Sequence, residues 1–370
     1  MQGAGADGDR RTARPVKRGG GARAGAEQGD LFGAPALAGA VASGASMARS
    51  AGVAPAVIAP TMAALAEEVP RAVRLGTSSW AFPGWEGLVY ARAERAERLA
   101  RDGLAAYAQH PLLRTVGLDR TFYAPITREA FARYAAAVPV DFRFLVKAAA
   151  ALTTPGGLAR LRAADPVDRF LDAAWATEAV ITPAVEGLGD RLGVLLFQFP
   201  PLPRGSRALR SLPERLGAFL AALPGGVPYA VEVRNPSLLG AAYRDALAGA
   251  GVAHGFTVHP SMPSLAEQAA AVAQSAWAGG TAVVRWMLQR DQQYDAARDA
   301  WAPFRELAAP DLGARTEVAQ LVAALTAHAP RVLVIANNKA EGCAPRTLEE
   351  LARLLAVGTQ GPARVDAGLA

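Results

Sequence analysis

Cysteine is almost missing: Cys343 is the single one in 370 residues. That excludes an intramolecular disulfide and any cysteine cluster, and a reducing cytoplasm is the simplest home. Histidine is sparse as well. His110, His254, His259 and His328 show neither His-x-His nor HExxH spacing, so no metal site is expected from them. No run of about 18 apolar residues occurs, which argues against a helical membrane span. The most apolar tract near the N-terminus, VAPAVIAPTMAALA, is broken by two prolines and lacks the charged–apolar–cleavage layout of a signal peptide. There is no G-x-S-x-G elbow and no nucleotide P-loop. The Gly-rich dinucleotide fingerprint is absent after the first strand, where GTSSWAFPGW stands instead. No cofactor is therefore expected.

Hydrophobic residues make up 51% of the chain and charged residues 19%, enough for a sizeable core. The formal net charge of +6 is compatible with phosphate-bearing partners, but ordinary arginine usage on a surface is the simpler reading. Residues 1–70 are rich in Gly, Ala and Arg, with no sustained hydrophobic period. They read as a disordered or weakly helical extension. Inside it, EQGDLFG carries the isolated bulky pair Leu31 and Phe32, a common form of docking peptide.

From residue 71 short apolar runs alternate with helical stretches. Eight strands are expected: AVRLGT, RTVGLD, FRFLVK, LGVLLFQF, YAVEVR, VAHGFTV, TAVVRWM and RVLVIANN. Helical segments between most of them demand a parallel sheet. Eight such units predict a single α/β domain, a TIM (β/α)8 barrel over 71–357, followed by a disordered tail over 358–370. An open doubly wound sheet is the alternative.

In a barrel the C-terminal strand ends line one mouth, where chemistry is done. Here they carry Asp119, Lys147, Gln198, Glu232, Arg234, Arg285, Asn337 and Asn338. Glu232 and Arg234 stand two apart and share a face, so they form either part of a site or a bracing ion pair. Lys147 follows an apolar run. It can hold an anion, or act as a base or Schiff-base nucleophile if its pKa is lowered. Asn337 or Asn338 with the following loop amides can bind an oxyanion, or can simply cap a turn. Trp80, Trp85 and Tyr90 form either a stacking wall for a ring or a roof over the barrel.

The segments LGTSSWAFPGWEGLVY, TFYAPIT, FRFLVKA, LLFQFPP, VEVRNPSLL and NNKAEG occur in this order. Together, over about residues 72–357, they resemble the YecE-like family, domain of unknown function 72. The resemblance implies a TIM barrel with a polar pocket at the mouth, carried here by Tyr123, Lys147, Gln198, Glu232, Arg234, Arg285, Asn337 and Asn338. It supplies no reaction. The chain departs from the family pattern at Gly117 and Asp119, at Asn235 and at Met287, the last two standing where the family has histidine. Separately, QGDLF resembles the bacterial pentapeptide that docks on the DNA sliding clamp, with Gln28, Leu31 and Phe32 as the anchors.

Three functions follow as expectations. The first is an enzyme acting on a phosphorylated or nucleic-acid-related ligand, with Glu232 as acid/base and Lys147, Arg234 and Arg285 holding anionic groups. The second is a non-catalytic ligand-binding or adaptor barrel tethered to the sliding clamp. The third is a carbohydrate hydrolase using Asp119 with Glu232.

Overall fold

The computed structural model describes residues 52–155 and 168–358. Eight parallel strands close into a barrel in sequence order. They are β1 (Val73–Thr77), β2 (Leu113–Leu118), β3 (Arg143–Lys147), β4 (Leu192–Gln198), β5 (Tyr229–Glu232), β6 (Ala253–Val258), β7 (Thr281–Trp286) and β8 (Arg331–Ala336). β8 closes the ring on β1 through the register Val73↔Val332 to Thr77↔Ala336. The expected strand segments and the TIM barrel are both present.

Strand alternation decides what the interior contains. Leu145, Val194, Leu196, Ala230, Ala253, Val283, Leu333 and Ile335 form an inner cluster, separate from the larger core between strands and helices. Two residues further along their strands lie Lys147, Gln198, Glu232, Arg285 and Asn337. The same parity therefore turns these polar side chains inward, above a dry layer. Two residues back lie Arg143 and Arg331, which face inward below it. Gly255 makes room beside β5: a Cβ there would lie 3.2 Å from that of Glu232.

The outer layer departs from expectation in three places. The segment read as one helix, VDRFLDAAWATEAVI, starts at Ala173, capped by the Asp172 side chain, which accepts from Trp175 N at 2.9 Å. It passes through a π-helical turn (Ala176–Ile181) into Thr182–Leu188. Pro183 lacks an N–H and crowds the carbonyl four residues back, so the regular i→i−4 ladder cannot continue through it. A helix not expected from the sequence, Tyr294–Trp301, lies in the long connection after β7. Residues 52–70, read as part of a disordered or weakly helical extension, carry the ordered helix Pro60–Glu68, with Val53, Ala56 and Leu65 buried. These small anchors dock on the barrel without a long hydrophobic period to announce them.

The connection after β7 is strapped across the mouth. Gln289 N donates to Lys339 O (3.2 Å), and Ala309 N donates to Glu341 O (3.0 Å). The buried Glu341 carboxylate accepts from Asp311 N (2.6 Å) and pairs with Arg315 (2.8 Å). Gly342, at φ 114°, leaves room for Ala308 N, which a Cβ would approach to 2.5 Å. Gly84 does the same for Pro303, whose carbonyl oxygen a Cβ would meet at 1.8 Å. Replacing Gly84 by Ala should therefore cost about 1–3 kcal/mol, read by urea unfolding, and should speed proteolysis within 287–311. An unchanged midpoint with unchanged cleavage would show that the strap is not seated on Gly84.

Candidate functional site at the barrel mouth

The centre of the mouth is Glu232, fully buried at 0% exposure. Its Oε1 accepts from Arg234 Nε (2.7 Å) and its Oε2 from Arg285 Nη1 (2.8 Å). Burial alone would raise its pKa. Arg234 and Arg285 outweigh that, with help from Lys147, and hold the carboxyl at about 2. Glu232 is thus a fixed anion at neutral pH. Its partners are also interior groups: Arg285 is 1% exposed and Arg234 5%.

Lys147 stands at the end of β3 on the same inner face. Its Nζ lies 3.8 Å from the centre of the Phe122 ring. Burial pushes its pKa down to about 7. The Asp119 and Glu232 charges oppose that shift, and those of Arg285 and Arg234 add to it. Lys147 therefore changes charge near neutrality, unlike the two arginines beside it.

A second lysine was not singled out by the sequence reading. Lys339, just past β8, is 0% exposed, and its Nζ has no hydrogen-bond partner. It lies 4.2 Å from the Tyr294 ring centre and 5.5 Å from that of Phe304, both on the strap. Burial brings it down to about 7, with Asp119 among the charges opposing the shift. The one available signal was the NNKAEG segment, in which the asparagines drew attention instead. Phe122 was missed for a similar reason, because Tyr123 was favoured. Tyr123 is 37% exposed and stacks edge-on against Phe122 at 5.5 Å, so it sits on the rim while Phe122 meets the lysine.

The other expected residues divide clearly. Gln198 is buried with Oε1 lacking a partner in the chain, and Asp119 has a buried Oδ1 in the same condition. Asn337 donates to Ser78 Oγ (2.9 Å) and accepts from Lys339 N (3.0 Å), bridging β8 to β1. Asn338 accepts from Ala344 N (2.8 Å) and so anchors the start of the helix Ala344–Gly358. The loop amides of Lys339, Ala340, Gly342 and Ala344 are all engaged internally. They are not free to cradle an oxyanion, and the turn-capping role describes the asparagines better.

Trp80 is a correction. Its Nε1 donates to Leu99 O (2.9 Å), and its ring meets Tyr134 edge-on at 5.6 Å, within the core outside the barrel. Trp85 and Tyr90 are also buried there, with Tyr90 Oη donating to Trp80 O. The three aromatics build the roof rather than a stacking wall. Asn235, one of the departures from the family pattern, clasps Leu202 through both N (2.7 Å) and O (3.0 Å) and braces the connection after β4. His259 reaches the mouth from β6. Burial, with Arg234 nearby, lowers its pKa to about 3, and its Nδ1 accepts from Ser261 N (3.1 Å). His254 faces the helix layer, where Tyr243 Oη meets its Nδ1 at 2.9 Å. Gln28, Leu31 and Phe32 lie outside the described residues.

Four side chains able to carry positive charge (Lys147, Arg234, Arg285, Lys339) thus stand around two carboxylates (Asp119, Glu232). Such a surplus in a low-dielectric interior favours an anion. Among the described residues, no group of three His, Cys, Asp or Glu comes together as a metal would require, and no helix is long and apolar enough to cross a membrane. Replacing Glu232 by Gln leaves two buried guanidiniums without their counter-ion. The variant should lose about 3–5 kcal/mol at pH 7 in urea unfolding. Because Glu232 titrates below the usual value of about 4.3, its contribution is present above that pH and fades as pH falls towards 2. The deficit of the variant should shrink over the same window. A deficit under ~1 kcal/mol would mean that solvent, not Glu232, balances the arginines.

The family model described as "Protein of unknown function DUF72" matches residues 74–367. No curated protein matches the chain. A DUF72 family protein from Thermotoga maritima MSB8 is 21% identical with a TM-score of 0.53, over 76% of this chain and 98% of that one. A second, from Enterococcus faecalis V583, is 18% identical with a TM-score of 0.52, over 80% of this chain and 100% of that one. At these identities the likeness shows the fold alone.

Proposed function

The chain belongs to the DUF72 family, and from that premise we propose that the mouth of its barrel binds a small phosphorylated or nucleic-acid-derived anion, with Lys147 as the group that exchanges a proton. The observation that carries this reading is the surplus of interior cations, joined by buried polar atoms with no partner in the chain: Asp119 Oδ1, Gln198 Oε1, Arg285 Nε and Lys339 Nζ. A buried polar atom left without a hydrogen bond costs about 1–3 kcal/mol. Arg285 Nε and Lys339 Nζ donate, while Asp119 Oδ1 and Gln198 Oε1 accept, so together they favour a ligand with an anionic group for the cations and a hydroxyl or N–H for the acceptors.

The roles follow from the charges. Glu232 does not serve as the acid/base, because two guanidiniums hold it ionised. It orients Arg234 and Arg285 instead. Those arginines hold the anion permanently, and Lys147 holds it only when protonated. An anion at the mouth raises the Lys147 pKa, so binding above pH 7 draws a proton into the site. In the reverse sense, neutral Lys147 is an amine placed to take a proton from a bound ligand. The two-carboxylate hydrolase reading loses support for the same reason, since both oxygens of Glu232 are engaged by arginine.

Sulfate tests this, because it does not itself titrate near neutrality. Calorimetry at pH 7.5 in buffers of different ionisation enthalpy should show proton uptake on binding. Affinity should fall as pH rises from about 6 to 8.5, following Lys147 and Lys339 through their pKa values near 7. Lys147→Met should weaken binding about tenfold or more and reduce the proton uptake. Absence of proton uptake, or sulfate affinity unchanged in Lys147→Met, would contradict the reading.

A further inference from the structure

The opposite end of the barrel carries a second, independent concentration of positive charge. Arg74, Arg143 and Arg331 are the inward-facing residues at the starts of β1, β3 and β8, below the inner apolar layer. Arg114, next to Leu113 at the start of β2, joins them. Among the described residues the only ion pair these four make is that of Arg114 with Asp141. The remaining bonds go to neutral groups. Arg143 Nη1 donates to Val140 O (2.8 Å) and Phe142 O (2.9 Å), and Arg331 Nη1 reaches Thr281 Oγ1 at 3.5 Å. Arg74 Nη1 donates to the Arg71 and Val73 carbonyls.

The guanidiniums lie close enough to repel one another. Burial lowers the Arg74 pKa, and Arg114, Arg143 and Arg331 lower it further, with Asp141 opposing. Arg331 is lowered by burial and by Arg143. The Nε atoms of Arg74 and Arg143 are buried with no partner in the chain. An open cavity of about 520 Å³ is lined by Arg74 and Arg114 of this cluster, together with Arg71, Glu67 and Pro111, while Arg143 and Arg331 stand behind it. A barrel end that served only as a plug would lower its energy by pairing these charges or replacing them with apolar side chains. Instead Arg71, Arg74 and Arg114 line the hollow with the carboxylate Glu67, Asp141 pairs with Arg114, and Arg143 and Arg331 add positive field from behind, which leaves an excess of about three positive charges at this end.

We propose that this N-terminal face of the barrel is a second anion-binding site, built for a small polyanion of the di- or triphosphate kind and separate from the mouth. The planar guanidinium fork matches phosphate oxygens two at a time, and the forks of Arg71, Arg74 and Arg114 around one hollow favour a ligand with more than one phosphoryl group. Arginine does not titrate near neutrality, so binding here takes up no proton from the protein. That distinguishes it from the mouth, where lysine does. The segment before β1 supplies one wall of the hollow, through Arg71, which favours an anion, and Glu67 of the helix Pro60–Glu68, whose carboxylate opposes one and restricts where it can sit.

The experiment uses the full chain and inorganic tripolyphosphate at constant ionic strength, by calorimetry and thermal unfolding. In Lys147→Met, which weakens the mouth, tripolyphosphate should still bind and raise the melting temperature. In Arg71→Gln/Arg74→Gln this binding should weaken about tenfold or more, while the melting temperature without ligand stays level or rises as repulsion on Arg74 is relieved. The mouth's sulfate-linked proton uptake should persist in that variant, so failure of one site is told from failure of the other. If the double variant does not fold, arginine-directed modification of the wild type by phenylglyoxal replaces it. Tripolyphosphate should then protect Arg71 and Arg74. Equal affinity in the arginine variant, absence of protection, or absence of binding would overturn the proposal. So would a single-stranded oligonucleotide that binds this face more tightly than tripolyphosphate does.

Discussion

The mouth of this barrel depends on one carboxylate. Glu232 is buried at the end of β5 and takes one arginine on each oxygen. Without it, Arg234 and Arg285 would be two like charges forced together away from water, a state that costs several kcal/mol per ion. With it, both guanidiniums are aimed and immobilised, and a net cationic field reaches Lys147. Gly255 belongs to the same arrangement, because any side chain there would press on Glu232. What sequence alone presents as two misplaced charges in a strand is the device that lets the interior hold cations at all.

Much of the fold was legible because each strand is a short apolar run bounded by breakers, and eight such units alternating with helices leave few topologies. The inner wall of the site was legible for a related reason. Lys147, Gln198, Glu232 and Arg285 each follow an apolar inner residue by two positions, and period-two alternation is readable without coordinates. What escaped was set by packing between distant segments. Lys339 is buried only because Tyr294 and Phe304 come over it from the strap, and the strap's helix is short and polar. Trp80 could face either way until its indole N–H found Leu99 O. Val53, Ala56 and Leu65 are isolated small anchors in an alanine-rich stretch, where no period marks the docked residues.

The barrel interior is therefore a thin apolar layer between two cationic ends. Eight side chains, from Leu145 to Ile335, separate the lysine-containing mouth from the arginine-lined base. The two ends differ chemically. The mouth is closed over by Phe122 and the strap, and its lysines exchange protons near neutrality. The base opens on a hollow beside the helix Pro60–Glu68, and its arginines keep their charge. Burial by itself weakens a lysine's charge and leaves an arginine's nearly intact. The choice of cation at each end thus gives one end sensitivity to pH and the other indifference to it.

The most direct measurement is anomalous diffraction from a crystal of the full chain soaked in selenate at pH 6, where both mouth lysines are charged. The account predicts a selenium peak that places selenate oxygens within hydrogen-bonding distance of Lys147 and Arg285, with Glu232 still bridging Arg234 and Arg285. A mouth without selenium at that pH, with Lys147 turned away from the interior, would contradict it.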